Sequence, residues 1–254
     1  SRLTRTEMRA WVRHVERVID DYLHGAPTNV QKARIRALAG LMLKCMLAFG
    51  TCLERARKLR FVEWSKRDYW PENDPEDEDK SEIPGITELT LVIQPDGNGG
   101  KEVAGFLLPG LMPIYAQDFS KDLENALEGI GRPRTSDLPV PDTLGLGDQL
   151  LAFLAKETRP NDHVFGIEAN TARETVRDLL AECGHARVTL DKIRLTLPSL
   201  LVEQGNDQTV AWMLSSDESR AKQPRMFYTH VSVDALQQAY TTAVRRLAKD
   251  AGLT

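Results

Sequence analysis

Residues 37–50 read ALAGLMLKCMLAFG, and the position of this stretch in the core determines how the other elements pack. Its apolar residues occupy nearly every side of a helix instead of a single face. A helix that is apolar on all sides is buried among other elements. We therefore expect these residues to form the central helix of a domain, which Gly50 interrupts.

The segments on either side of this helix carry helix signals of their own. Upstream, residues 4–7 (TRTE) have the pattern of a capping box, and apolar residues follow at helical spacing. These apolar residues are Met8, Trp11, Val15, Val18 and Tyr22. Downstream of Gly50, the stretch LERARKLRFVEW (53–64) predicts a more basic helix or turn.

Two β-rich runs surround a glycine-rich turn in the middle of the chain. The runs are ELTLVIQP (88–95) and KEVAGFLLP (101–109), with DGNGG (96–100) between them. This pattern predicts an antiparallel hairpin. Residues 110–145 are rich in Pro and Gly, which predicts an insertion or surface excursion.

Further helices are predicted in the second half of the chain. The amphipathic segments are GDQLLAFLAKE (147–157), ANTARETVRDLLAECG (169–184) and VDALQQAYTTAVRRLAKDAG (233–252). Pro198 is placed for the first turn of another helix, which Gly205 ends. The predicted fold class is α+β, mainly α-helical with a small antiparallel β-sheet, in a single domain over residues 1–254.

The charge of the chain is unevenly distributed. The net charge is −4, yet residues 1–70 carry 15 Lys and Arg against 7 Asp and Glu, and residues 183–254 carry 9 against 7. Residues 71–182 carry 9 against 23, and the acidic run ENDPEDEDKSE (72–82) accounts for much of this excess. Both ends are therefore suited to a polyanionic partner, while the middle faces water.

Membrane, metal and cofactor classes find little support in the composition. No uninterrupted apolar run approaches the ~20 residues that a membrane-spanning helix needs, so no membrane partner is expected. The three cysteines and five histidines lack metal-ligand spacing, so we expect neither a metal nor another cofactor. The cysteines are interpreted as free thiols of a reducing compartment.

An ordered series of short boxes occupies the C-terminal part. Residues 188–240 read VTLDKIRLTLPSLLVEQGNDQTVAWMLSSDESRAKQPRMFYTHVSVDALQQAY. This stretch resembles the C-terminal catalytic segment of tyrosine recombinases, the phage-integrase family. That family has a His-x-x-Arg box, a helix ending in Gly, a short helix ending in Leu-Gly-His, a variable loop, and Tyr-Thr-His. Aligned without gaps, its arginine falls on Arg194, its glycine on Gly205 and its tyrosine on Tyr228.

The upstream half resembles the same family more weakly. Residues 41–64 look like its buried helix and the turn that follows. The hairpin stands where the family keeps a catalytic lysine, which makes Lys101 the candidate. Residues 3–8 (LTRTEM) resemble the usual start of the catalytic domain, which implies that the N-terminal DNA-clamping domain is absent from this chain.

The resemblance implies a particular chemistry. The tyrosine oxygen attacks a DNA phosphate and leaves a 3′-phosphotyrosyl bond, with no metal required. Negative charge spreads over the phosphoryl oxygens in the transition state, so two arginines and a His or Trp must contact these oxygens. A lysine or histidine supplies the proton for the leaving oxygen.

Three family positions are substituted in this chain. Cys52 occupies the position of the family's first arginine, and Asp191 and Asp217 occupy the positions of the family's two histidines. Loss of one preorganised donor costs roughly 10²–10³ in rate, and a carboxylate repels a phosphate. We therefore expect a DNA-binding, recombinase-like domain for site-specific recombination or DNA integration, with strand cleavage impaired or lost. The two aspartates are a weak signal for a metal site.

The resemblance also implies partners and a location. We expect double-stranded DNA and other recombinase subunits, homo- or hetero-oligomeric, at the nucleoid in bacterial cytoplasm. The C-terminal helix suits contact with a neighbouring subunit and equally suits packing on its own domain. The candidate DNA-contacting residues are all basic: Lys192, Arg220, Lys222, Arg225, Arg55 and Arg57.

Two other functions are compatible with the sequence. A working recombinase would take its missing cations from shifted residues such as Arg55, Arg57 or Lys222. A protein-interaction domain without DNA contact would fit the acidic run and the net negative charge.

Each candidate catalytic residue also has a plain structural interpretation. Tyr228 would be a packing aromatic before a helix, and Lys101 a solvated hairpin residue. Arg194 would be the surface ion-pair partner of Asp191 or Asp217.

Overall fold

The computed structural model describes residues 2–63, 88–108, 138–140, 144–157, 163–184, 187–206, 211 and 233–253. The helices with bounds in these ranges are α1 (Arg5–Leu23), α2 (Val30–Phe49), α3 (Leu53–Arg57), α4 (Leu146–Lys156), α5 (Ala169–Glu182), α6 (Leu190–Glu203) and α7 (Val233–Ala251). The strands are β1 (Arg60–Glu63), β2 (Thr90–Pro95), β3 (Lys101–Leu108) and β4 (Leu138–Val140). The mainly helical α+β class is confirmed.

α2 is the central helix that the sequence predicts. Every residue from Ala37 to Phe49 is buried, and α1, α3, α4, α5 and α6 all pack against this helix. Gly40 faces α1 closely, since a Cβ there would lie 3.1 Å from an Ile19 side-chain carbon. Gly50 ends α2 with a φ of 61°, a left-handed conformation that glycine adopts without steric cost.

α1 begins at the predicted capping box. Thr4 Oγ1 accepts a hydrogen bond from the Glu7 N–H at 3.2 Å, and the Thr4 N–H donates to Glu7 Oε2 at 2.8 Å. These reciprocal bonds satisfy two N–H groups that lack helical partners. The apolar residues predicted for the inner face are all buried: Met8, Trp11, Val15, Val18 and Tyr22.

The sheet is mixed, so the prediction of an antiparallel sheet is wrong for one strand pair. Its order is β1-β2-β3-β4, and β2 with β3 forms the predicted antiparallel hairpin. β1 runs parallel to β2, with Arg60 opposite Thr90. A parallel pair needs a crossover of a dozen or more residues, which residues 64–89 supply. β4, which lies within 110–145, pairs antiparallel with β3.

Pro198 lies inside α6, so the predicted helix start at Pro198 is wrong. α6 begins at Leu190, after Thr189 Oγ1 accepts a hydrogen bond from the Lys192 N–H at 3.2 Å. Proline has no N–H, so Pro198 cannot make the regular helical bond to the carbonyl of Arg194. Buried apolar side chains hold α6 in the core on both sides of the proline: Ile193, Leu197, Leu200 and Leu201.

α7 packs within its own chain. Its apolar stripe lies against α1, α6 and β4, and its buried residues include Tyr240, Ala243, Val244 and Leu247. The stripe therefore has the self-packing role that the sequence leaves open. Contact with a neighbouring subunit stays a prediction.

Lys44 is buried where α1, α2 and α4 meet. Its side chain is 1% exposed, and its Nζ donates to Glu16 Oε1 at 2.5 Å, Gln149 Oε1 at 2.5 Å and the Leu144 carbonyl at 2.7 Å. These three acceptors match the three N–H groups of an ammonium. Leu144 has a φ of 59°, which is uncommon for a residue with a Cβ. Lys44 thus fixes the strained turn that precedes α4.

Candidate functional site

Asp191 and Arg194 form an ion pair on the solvent side of α6. Asp191 Oδ1 lies 3.3 Å from Arg194 Nη2, across the i,i+3 spacing that brings helical side chains together. The Asp191 side chain is 81% exposed and that of Arg194 is 29% exposed. The structural interpretation of Arg194 as the partner of Asp191 is confirmed, and its phosphate-binding role stays a prediction.

The turn after α2 positions Cys52 and the charged residues of α3. Cys52 is the N-cap of α3, and its side chain makes no capping hydrogen bond. Arg57 Nη2 lies 2.5 Å from Glu54 Oε1, and Arg57 Nε lies 3.3 Å from Glu54 Oε2. Arg57 Nη1 donates to the Ile167 carbonyl at 3.0 Å. Arg57 is therefore a structural tie between α3 and the segment that leads into α5.

The pair on α3 stays charged over a wide pH range. The hydrogen bond from Arg57 lowers the pKa of Glu54, and the hydrogen bond to Glu54 raises the pKa of Arg57. Because a carboxylate is ionised above its pKa and a guanidinium is protonated below its own, both groups are charged near neutral pH. A phosphate that approached Arg57 would meet the carboxylate of Glu54.

The other predicted cations of the described part lie in different settings. Arg55 is half-buried on α3. Lys101 is exposed at the first position of β3, opposite Pro95 and directly after the glycine-rich turn. Lys192 donates to Glu7 Oε1 at 3.2 Å and thereby joins the α1 capping box. Among these three, Lys101 has the exposure that contact with a polyanion requires.

Several predicted residues lie outside the described residues. They are Asp217, Arg220, Lys222, Arg225 and Tyr228. The acidic run 72–82 also lies outside them. The relation between Arg194 and Tyr228, on which the family resemblance depends, therefore stays a prediction.

A cleft of about 680 Å³ opens between α5 and the residues that lead into α6. On the α5 side it is lined by Asn170, Arg173, Glu174 and Arg177, which lie on one helical face because of their i,i+3,i+4,i+7 spacing. The remaining lining is largely apolar: Leu180, Ala181, Val188, Thr189 and Leu190. The cleft thus combines a charged helical face with an apolar floor.

Arg173 and Arg177 are cations that the sequence interpretation missed. Both are exposed, and neither forms a hydrogen bond or an ion pair with the residues that the structure describes. α5 packs against α3, and the charge of Arg173 adds to the lowering of the Glu54 pKa that the hydrogen bond from Arg57 chiefly causes. The available signal was the i,i+4 spacing of the two arginines on the polar face of an amphipathic helix.

The arginines around this region divide into two groups. Arg57 and Arg194 each have a carboxylate partner three residues earlier on the same helix. Arg173 and Arg177 have no such partner in the described ranges, although Glu174 lies between them on the same face. An unpaired guanidinium binds a phosphate without first breaking an ion pair, and its planar N–H groups match two phosphate oxygens. The exposed face of α5 is therefore the part of the site best suited to a polyanion.

Comparison with known proteins adds no assignment to this geometry. No model of a known protein family, no curated protein and no solved structure matches this chain. The described ranges hold no group of three or more His, Cys, Asp and Glu side chains arranged to bind a metal ion. Of the helices in these ranges, none is both long enough and apolar enough to cross a bilayer.

Proposed function

We propose that this chain is a duplex-DNA-binding domain of the tyrosine-recombinase type, acting in site-specific recombination or DNA integration, with strand cleavage impaired or lost. The observation that carries the proposal is the ion pair between Asp191 and Arg194. Arg194 stands at the family's phosphate-binding arginine, and Asp191 stands at the family's histidine. A carboxylate therefore contacts the guanidinium that would otherwise stabilise a phosphoryl oxygen.

The charges of the site argue against efficient cleavage. Phosphoryl transfer needs preorganised cations on the oxygens where negative charge develops. Asp191 opposes that charge, and Cys52 brings a thiol to the place of the first arginine. Each lost donor costs roughly 10²–10³ in rate, although such losses do not simply add. A domain with these substitutions keeps its binding surface and loses most of its cleavage rate.

The exposed face of α5 supports the DNA-binding half of the proposal. Arg173 and Arg177 are one helical turn apart and lie beside a cleft that the sugar-phosphate backbone of DNA can approach. Contacts of this kind to phosphates position a protein on duplex DNA without reading its sequence. Lys101, exposed beside the glycine-rich turn, supplies a further cation on the hairpin.

The proposal includes a cellular setting. The domain works at the nucleoid in the bacterial cytoplasm, beside recombinase subunits that supply an intact cleavage centre. Much of the apolar stripe of α7 is buried in its own chain, so subunit contact through the C-terminal helix uses the exposed part of that helix.

Two measurements on the whole chain test the proposal. The first is binding to duplex DNA at increasing salt, where we expect affinity to fall steeply because phosphate contacts release counterions. The second is incubation with a duplex nicked near the expected cleavage point, where we expect no covalent adduct. An adduct that disappears in Tyr228→Phe would instead identify a working recombinase. No binding even at low salt would contradict the proposal and favour the protein-interaction alternative.

A further inference from the structure

We propose that Asp191 is an internal competitor of the DNA phosphate for Arg194. This inference rests on the proposed function and specifies how its site is regulated. The carboxylate keeps the guanidinium paired until a phosphate displaces it. Asp191 thereby lowers the affinity for duplex DNA instead of adding to it.

The geometry of the pair supports competition. Asp191 is mostly exposed and its carboxylate contacts Nη2 of Arg194, so a phosphate that binds Nη2 has to displace the carboxylate. The two side chains share one helical face, and their single contact is 3.3 Å long. A phosphate presents two oxygens to the guanidinium fork and can form the shorter, bidentate arrangement. The ion pair is therefore replaceable at a modest cost.

The Glu54–Arg57 pair on α3 differs from the Asp191–Arg194 pair because its arginine also holds another segment of the chain. Arg57 has two contacts to Glu54 and one to the Ile167 carbonyl, so it is fixed to the segment before α5. Removing Glu54 would disturb that structural tie as well as the charge. Within the described ranges, Asp191 forms its one ion pair with Arg194, so Asp191 is the carboxylate to test.

A double-mutant cycle separates competition from a general change in charge. The proteins are the wild type, Asp191→Asn, Arg194→Gln and the double variant, each measured for duplex-DNA affinity at low and high salt. Asp148→Asn is the matched control, because Asp148 is also an exposed acid in the first turn of a helix. Thermal melting of each protein verifies that it is folded.

We expect Asp191→Asn to bind duplex DNA about five-fold more tightly at low salt, the upper range for one exposed ion pair. The gain should shrink at high salt because exposed charges are screened. Asp148→Asn should change affinity less than two-fold. In the Arg194→Gln background, Asp191→Asn should give no more than the Asp148→Asn effect.

The opposing outcomes are distinct. Equal gains from Asp191→Asn and Asp148→Asn, or a gain that persists in the Arg194→Gln background, would overturn the inference while leaving DNA binding intact. An unfolded Asp191→Asn protein would also overturn it, because the carboxylate would then be structural. If the wild type itself fails to bind duplex DNA at low salt, the proposed function fails first, and this inference fails with it.

Discussion

The Tyr240 hydroxyl donates a hydrogen bond to the carbonyl of Ala48 across 3.1 Å, and the ring of Tyr240 lies parallel to that of Phe49 at a centroid distance of 6.4 Å. Ala48 is in the last turn of α2, where carbonyls lack helical N–H partners. Phe49 in turn contacts Phe106 of β3 at 4.9 Å. One tyrosine thus joins the C-terminal helix to the end of the central helix and, through Phe49, to the sheet.

Removing only the hydroxyl of Tyr240 separates these contributions. Tyr240→Phe should lower the free energy of unfolding by about 1 kcal/mol, because it leaves the Ala48 carbonyl buried without this donor. Tyr240→Ala should cost about 3–5 kcal/mol, since it also creates a cavity. Urea denaturation of the three proteins measures both differences. Equal stability of Tyr240→Phe and the wild type would mean that water replaces the hydroxyl.

The buried ammonium of Lys44 should be required for stability. Lys44→Met should lower the free energy of unfolding by about 3 kcal/mol, because Glu16, Gln149 and the Leu144 carbonyl all lose the ammonium as a donor. Lys32→Met is the control, since Lys32 is exposed at the start of the same helix. Urea denaturation that finds the two variants equally stable would contradict the structural role of Lys44.

Glu7 should make stability depend on pH in the acidic range. Its pKa is lowered, chiefly by the hydrogen bond from the Thr4 N–H, with Lys192 adding to the effect. A carboxylate with a lowered folded pKa stabilises fully above its unfolded value of about 4.3, and this stabilisation is lost as pH falls through the folded pKa. Glu7→Gln should therefore flatten the pH dependence of unfolding below about pH 5.

The measurement is the midpoint of urea unfolding at a series of pH values. Glu174→Gln serves as the control, because Glu174 is an exposed glutamate on α5. If both variants follow the wild-type pH curve equally, the capping box contributes no proton linkage.

Pro198 should reduce the stability of α6. Pro198→Ala restores the N–H that can bond to the Arg194 carbonyl, and it should raise the free energy of unfolding by about 1 kcal/mol or more. Ser199→Ala, at the next helical position, should change stability by less than about 0.5 kcal/mol. Thermal unfolding of both proteins measures whether each substitution raises or lowers stability. A less stable Pro198→Ala protein would show that packing of the proline ring outweighs the missing hydrogen bond.

Arg173 and Arg177 should contribute to DNA affinity without sequence preference. Replacing both by alanine should weaken binding about equally for unrelated duplexes and reduce the salt slope by about 1 for each lost phosphate contact. Arg13 and Arg17 form the matched control, because they are exposed at the same i,i+4 spacing on α1. Equal losses from the two double variants would mean that net charge alone determines binding.

Local patterns predict much of this fold because they arise from neighbouring residues. The capping box of α1, the apolar run of α2 and the hairpin all follow from short-range spacing or turn chemistry. α7 is also recognised, since its apolar stripe repeats at helical spacing. The sequence does not predict what this stripe contacts, because packing within the chain and contact with another subunit require the same apolar pattern.

The features that escape prediction depend on distant partners or on tertiary override. β1 is a short run whose parallel partner lies across residues 64–89, and no local pattern records that pairing. Pro198 reads as a helix start by its own preference, while the buried side chains on both sides keep α6 continuous. In the sequence, Lys44 is a charged residue within an apolar run. Its structural role is seen only in the fold, where Glu16 and Gln149 accept its hydrogen bonds. In the candidate site, the family resemblance identifies Arg194. The exposed face of α5 is recognised as part of the site only from the structure.

The first and last helices lie side by side, and Asp250 bonds to Arg5 through its carboxylate at 2.7 Å and to Arg9 through its carbonyl at 3.2 Å. A chain emerging from the ribosome therefore cannot cover the inner face of α1 on that side until residues 233–251 have been synthesised. The core around α1 therefore closes only when segments from both ends of the fold are present.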